Sequence, residues 1–237
     1  MIGTVERHTV SVPGGRLALA LHLPVTPAPA GCVLCCHGLS AGKDSDKYLL
    51  LVEEFVAAGV AVARFDFRGC GESSGVEEET TIATRMDDAT AVLATLVRHP
   101  QLDDRRALLG SSLGGYVTLH LASIRRDIAA VVTWNAPAEL SELAGRNVRD
   151  RPGIGVAFIA EYRTGRYAKA PCRLSHHLVI HGDADDVVPL HHGLALHAQA
   201  SEPRALVVIA GGDHRLTNLT HRREAARRSL DWVLKFF

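Results

Sequence analysis

Gly110-Ser111-Ser112-Leu113-Gly114 decides how this chain folds. A short apolar strand, Arg106 to Leu109, runs into it, and a helical pattern, Leu113 to Ile124, runs out of it. A serine held in a sharp strand-to-helix turn needs very small neighbours two positions away on each side, which gives both glycines a steric reason. The same five letters occur by chance in Gly/Ser-rich turns. With a strand before and a helix after, they predict a nucleophile elbow that lifts Ser112 above the end of a sheet. The helix start also aims its free N–H groups and its dipole at the serine oxygen. Ser111 is expected to point away from the open side of the turn.

The chain alternates regularly on both sides of that turn. Val5 to Val12 and Leu17 to Leu23 are β-rich and joined by Pro13-Gly14-Gly15, a hairpin signal. Apolar runs of the buried parallel-strand kind follow at Cys32 to Cys36, Val60 to Phe67, Ala107 to Leu109, Ile128 to Trp134, Leu178 to Ile180 and Ala205 to Ile209. Helical patterns separate most of them: Tyr48 to Ala58, Arg85 to Val97, Leu113 to Ile124, Leu190 to Ala200 and Arg222 to Phe236. The order predicts one α/β domain over residues 1–237, with a mostly parallel sheet of about eight strands flanked by helices and an antiparallel start. Between Trp134 and Leu178 lie about forty residues, more than a crossover needs. Residues 138–174 are therefore expected to form a small lid insertion. Its seven Lys/Arg residues, Arg146, Arg149, Arg151, Arg163, Arg166, Lys169 and Arg173, outnumber four Asp/Glu. They read mainly as a solvated face, with recognition of a distal carboxylate or phosphate as the sharper alternative.

Composition excludes several classes. Lys+Arg and Asp+Glu are equal at 26 each, so no global field favours nucleic acid or an anionic membrane. Met1 to Ser11 lacks the apolar core of a secretory signal, and no apolar run approaches the roughly 18 residues of a membrane span. The expected location is the cytoplasm. The odd count of five cysteines fits a reducing compartment. Cys32-x-x-Cys35 followed by His37 has metal-site spacing, but residues i and i+3 of a strand face opposite ways. These thiols read as small core hydrophobes, and neither a metal nor a cofactor is expected.

A serine hydroxyl needs a base, and the base needs an orienting carboxylate. On a strand–elbow–helix fold the acid and then the histidine follow the serine in the chain. His191, His192 and His197 sit in a helical stretch directly after the candidate acid loop, and His221 lies in the terminal helix region. His214, in Gly211-Gly212-Asp213-His214, follows the strand at Ala205 to Ile209 and stands where functional groups of open α/β sheets collect. It is the candidate base. The acid lies in His181-Gly182-Asp183-Ala184-Asp185-Asp186-Val187-Val188-Pro189, whose three aspartates spacing alone does not separate.

These motifs, in this order, resemble the α/β-hydrolase superfamily from about Cys32 to the C-terminus. His-Gly-x-x-Asp before Val-Pro is similar to that family's acid loop, which implies Asp185 as the triad acid and leaves Asp183 and Asp186 to turn-capping or surface roles. His37-Gly38-Leu39 resembles its oxyanion loop, which implies the backbone N–H groups of Leu39 and Leu113 as oxyanion donors and a structural role for His37. Asp66-Phe67-Arg68-Gly69-Cys70-Gly71-Glu72-Ser73 looks like the family's Asp-x-Arg-Gly-x-Gly-x-Ser loop, with Asp66 and Arg68 as polar braces. Within the superfamily, His37 to Lys43 resembles small cinnamoyl/feruloyl-type esterases, with Leu39 where that group carries an aromatic residue, and the chain is also similar to serine aminopeptidase-like hydrolases. The resemblance implies a serine carboxylesterase that hydrolyses small esters through an acyl-enzyme on Ser112, as a monomer or homodimer, with a small-molecule ester as its partner. A peptidase or thioesterase with the same triad stays open, as does a non-catalytic ligand-binding protein on the same fold. Epoxide hydrolases and dehalogenases place Asp where Ser112 stands.

Overall fold

The computed structural model describes residues 3–25, 29–141 and 152–237. Strands β1 (Thr4–Val12) and β2 (Gly15–Leu23) pair antiparallel across Pro13-Gly14, with Gly14 at φ +80°, a conformation a turn grants to glycine at little cost. Then follow β3 (Ala30–Cys36), α1 (Asp46–Ala57), β4 (Ala61–Phe65), α2 (Ile82–Leu96), β5 (Leu102–Ser111) and α3 (Leu113–Ser123). The second half carries β6 (Ala130–Trp134), α4 (Val156–Arg163), β7 (His177–Gly182), α5 (Leu190–Gln199), β8 (Arg204–Ile209) and α6 (Leu219–Val233). The eight strands form one sheet in the order β1-β2-β4-β3-β5-β6-β7-β8, antiparallel at β1, β2 and β4 and parallel from there on.

Strands β3, β4, β6 and β7 are buried along their whole length, because helices cover both faces of the sheet. Val33, Cys35, Tyr48, Phe55, Trp134 and Trp232 belong to the core under α1 and α6, while Leu19, Cys32, Cys36, Phe65, Val92 and Tyr116 belong to the core under α2 and α3. Cys32 and Cys35 thus lie on opposite faces, as strand alternation requires, and burial pushes the Cys32 thiol up to about 12. Among the described residues no helix is long and apolar enough to cross a membrane.

Two elements begin earlier than their apolar pattern suggests. Strand β5 starts at Leu102, and the charged Asp103, Asp104 and Arg105 conceal its first half. Helix α2 starts at Ile82, where Thr81 and Thr84 cap each other reciprocally. The Glu161 carboxylate of α4 accepts from the Ile82 N–H at 2.6 Å and the Ala83 N–H at 3.0 Å, at the positive end of α2. Tyr116 donates to the Tyr167 carbonyl at 2.9 Å, and Ile154, Phe158, Tyr167 and Ala170 are buried. The described part of the 138–174 segment is therefore packed onto α2 and α3. Residues 142–151, with Arg146, Arg149 and Arg151, lie outside the described residues.

A polar brace holds the loops after β3 and β4. Asp66 accepts from the Lys43 N–H at 2.7 Å and the Glu72 N–H at 3.0 Å, and faces the Lys43 ammonium at 3.1 Å. Arg68 grips Asp88 through its backbone N–H at 3.0 Å and its guanidinium Nε at 2.8 Å. His37 donates from Nδ1 to the Gly38 carbonyl at 2.8 Å and accepts from the Phe67 N–H at Nε2, 3.0 Å away, so it ties the two loops together as a neutral ring.

Two outcomes follow. Asp66→Ala leaves the Lys43 and Glu72 N–H groups without their acceptor and removes one of the three carboxylates at the Lys43 ammonium, and it lowers unfolding free energy by about 1–3 kcal/mol in urea titration. Burial also pushes His22, His37 and His120 down to about 4 and His177 to about 3 from an ordinary 6.5, so they fold neutral and gain protons on unfolding. Their contribution is complete above pH 6.5 and is lost as pH falls towards 4, so the melting temperature drops steadily through that window.

Candidate active site

Ser112 stands at φ +55° between β5 and α3, a left-handed conformation that costs a non-glycine residue energy. Its N–H donates to the Trp134 carbonyl at 2.9 Å, which fixes the turn to β6. The flanking glycines are sterically required. A Cβ on Gly110 would lie 2.4 Å from the Gly114 carbonyl oxygen, and one on Gly114 would lie 2.1 Å from that of Cys36.

The structure brings the sequence-predicted residues together from three loops at the carboxyl ends of β5, β7 and β8. His214 Nε2 lies 3.0 Å from Ser112 Oγ, and its Nδ1 lies 2.8 Å from Asp185 Oδ2. The geometry assigns the ring a tautomer with Nδ1–H donating to the carboxylate and Nε2 accepting from the serine hydroxyl. Asp185 is buried, and its other oxygen accepts from the N–H groups of Val187 at 2.9 Å and Val188 at 2.8 Å. Among the three neighbouring aspartates, Asp183 accepts from the Gly211 N–H at 2.6 Å and Asp186 is exposed at the pocket rim.

Leu39 and Leu113 both line an 820 Å³ pocket that also contains Ser112 and His214. Leu113 is the first residue of α3, so its N–H has no partner four residues back in the helix. Gly38 backs directly onto the serine: a Cβ there would lie 3.1 Å from Ser112 Cβ. Val187 and Val188 add apolar wall, and Pro152 borders the pocket from the 138–174 segment.

Two polar residues of the site carry no motif. Asn135, at φ +50° just past β6, accepts from the Gly182 N–H at 2.8 Å. Its amide donates to the carbonyls of Asp213 at 3.1 Å and His214 at 2.9 Å, so one side chain ties the acid strand to the histidine loop. The available signal was a polar residue at the carboxyl end of an apolar strand, beside the elbow strand. Lys47, in the first turn of α1, lines the pocket and donates to Ser111 Oγ at 2.8 Å. Ser111 is thus buried against a cation. A lysine in a first helical turn, where the dipole disfavours positive charge, was the signal there.

Elsewhere, Glu6 Oε2 lies 3.0 Å from Nε2 of both His8 and His99, which clasps β1 to the chain just after α2. It is the one cluster of three metal-type donors among the described residues.

Comparisons with known proteins bear on the family and the fold. Residues 27–149, about half of the chain, match the family model described as serine aminopeptidase, S33. The uncharacterized protein YfhR of Escherichia coli is 32% identical over 205 residues, which cover 81% of this chain and 67% of that protein. The human mitochondrial palmitoyl-protein thioesterase ABHD10 is 26% identical over 200 residues, 70% of this chain and 61% of that one. Among solved structures, Est1E of Butyrivibrio proteoclasticus with ferulic acid bound superposes with a TM-score of 0.84 at 21% identity, covering 97% of this chain and 98% of that chain. At that identity the likeness shows the fold.

Asn135→Ala removes one acceptor and two donors from a buried junction. It is expected to lower stability by about 1–3 kcal/mol in denaturant titration, because the Gly182 N–H is left unpaired.

Proposed function

Because the chain belongs to the S33 serine aminopeptidase family of α/β-hydrolases and is a hydrolase, we propose that it cleaves small carboxylic esters through an acyl-enzyme on Ser112. The observation that carries this reading is the hydrogen-bonded relay from Ser112 Oγ through His214 to buried Asp185, at the floor of a pocket with room for a small ester.

Each step uses protein groups and water. Ser112 Oγ attacks the ester carbonyl while His214 Nε2 takes its proton. Asp185 holds the imidazole by Nδ1–H and stabilises the imidazolium that forms, without itself taking the proton. The N–H groups of Leu39 and Leu113 meet the developing oxyanion, each such donor contributing about 2.7–4 kcal/mol to transition-state stabilisation. His214 then returns the proton to the departing alcohol. Water, deprotonated by the same nitrogen, releases the acid. The described part of the 138–174 segment contributes Pro152 to the pocket wall, which in this reading makes it part of the pocket's cover.

A thioester enters the same acyl-enzyme, and the human relative is named a thioesterase. Comparing kcat/KM on an aryl ester, an amide and an acyl-CoA ranks the three substrates, and the reading predicts the ester first.

Ser112→Ala is expected to abolish labelling by a fluorophosphonate probe and to lower kcat on p-nitrophenyl esters by about 10⁴-fold or more. Labelling that persists in the variant overturns the assignment.

A further inference from the structure

Two lysines near the start of α1 stand in opposite electrostatic situations. The Lys43 ammonium is nearly fully buried and meets three carboxylates: Asp44 at 2.8 Å, Asp66 at 3.1 Å and Glu72. Burial opposes its charge, yet these partners hold its proton above the ordinary range. Lys47 has no such compensation. Its ammonium donates to the neutral Ser111 hydroxyl at 2.8 Å, and among the described residues it enters no ion pair. Burial, then the Arg215 and Arg222 guanidiniums, pull it down to about 8, against the weaker opposing pull of Asp213 and Asp185. At pH 7 it still keeps its proton. It is therefore a cation in the pocket rather than a base for Ser111.

Lys47, Arg215 and Arg222 all line the pocket that contains Ser112. Arg222 is occupied by the protein: it lies 3.3 Å from Asp46 and donates to the carbonyls of Leu216 and Thr217, both at 2.9 Å. Arg215 is exposed next to His214 and, among the described residues, enters no ion pair. The carboxylates lining the pocket, Asp46 and Asp186, are both exposed to water. A half-buried ammonium with only a hydroxyl for a hydrogen-bond partner carries a desolvation cost that Asp213 and Asp185 offset only in part. An anion in the pocket would offset it.

On the reading of Ser112 as an esterase nucleophile, we propose that Lys47, with Arg215 at the rim, forms a subsite for a substrate oxyanion, so that preferred esters carry a second, anionic group away from the scissile bond. The described cations of the 138–174 segment have other surroundings. Arg163, Arg166, Lys169 and Arg173 do not line the pocket, Arg166 lies over the Tyr167 ring, and Lys169 faces Glu139 at 3.9 Å. Among the described residues, the pocket cations without an ion-pair partner thus come from α1 and the loop after β8.

The test compares the 4-nitrophenyl hemiester of glutaric acid with neutral 4-nitrophenyl pentanoate, whose acyl chain has the same length. The wild-type chain is expected to favour the hemiester by about tenfold in kcat/KM, mostly through KM, the scale of one charge-assisted contact. Lys47→Met is expected to erase that ratio and Lys47→Arg to retain most of it. Arg215→Gln, at an exposed position that leaves folding intact, is expected to reduce it by a smaller factor. Competitive inhibition by glutarate identifies the anion as a carboxylate, and inhibition by inorganic phosphate identifies it as a phosphate. Inhibition by neither, or a ratio unchanged in both Lys47→Met and Arg215→Gln, overturns the subsite. Fluorophosphonate labelling of a wild-type chain that shows no anionic preference defeats the subsite alone. Absence of labelling defeats the esterase reading beneath it.

Discussion

The close approach of three backbones around Ser112 is the constraint on which the site depends. Gly110 packs on Gly114, Gly114 packs on the carbonyls of Cys36 and His37, and Gly38 packs on Ser112 itself. No side chain fits at Gly110 or Gly114, and a Cβ at Gly38 would press on Ser112 Cβ at 3.1 Å. The strand end and the helix start therefore meet within one residue, and that residue takes φ +55°. The strain is held by buried strands on both sides and by the Ser112 N–H bond to the Trp134 carbonyl. Because β5 is central and parallel to β3 and β6, the loops after its parallel neighbours open at the same end of the sheet. The Leu39 loop after β3, Asn135 after β6, Asp185 after β7 and His214 after β8 all meet there for that reason.

The fold was legible in the sequence because its buried parallel strands are written as uninterrupted apolar runs and its elbow has one steric solution. The early starts of β5 and α2 were not. Asp103, Asp104 and Arg105 mask a strand that is paired only from Arg106 onward apart from Leu102, and the Thr81–Thr84 cap carries no Glu or Gln at the third position. The choice of Ser112 and His214 followed from motif and chain order, and that of Asp185 from the resemblance of its loop to a family's acid loop. Asn135 and Lys47 followed from neither, because their importance lies in what they touch. Asn135 bridges two loops far apart in sequence, and Lys47 reaches a serine 64 positions away. The sequence also drew attention to the basic 138–174 segment, whereas among the described residues the cations lining the pocket are Lys47 of α1, Arg215 of the β8–α6 loop and Arg222 of α6.

Charge is distributed with the same economy. Asp66, Lys43, Arg68 and Asp88 are satisfied by each other and by backbone groups, so they stiffen the loops without offering a field to a ligand. Asp185 spends one oxygen on two backbone N–H groups and the other on His214, which fixes the imidazole before any substrate arrives. Lys47 departs from this pattern, and it does so next to the reacting serine. The elbow thus presents two hydroxyls to two different partners: Ser112 to the His214 imidazole, Ser111 to the Lys47 ammonium.

That division makes the identity of the acylated residue the sharpest question. Rapid acid quench of the chain during turnover of a p-nitrophenyl ester, followed by tandem mass spectrometry of the peptide spanning residues 107–125, locates the acyl group directly. The account predicts the added acyl mass on Ser112 alone. Acyl mass on Ser111, or on Lys47 in its own peptide with Ser112 unmodified, would contradict it.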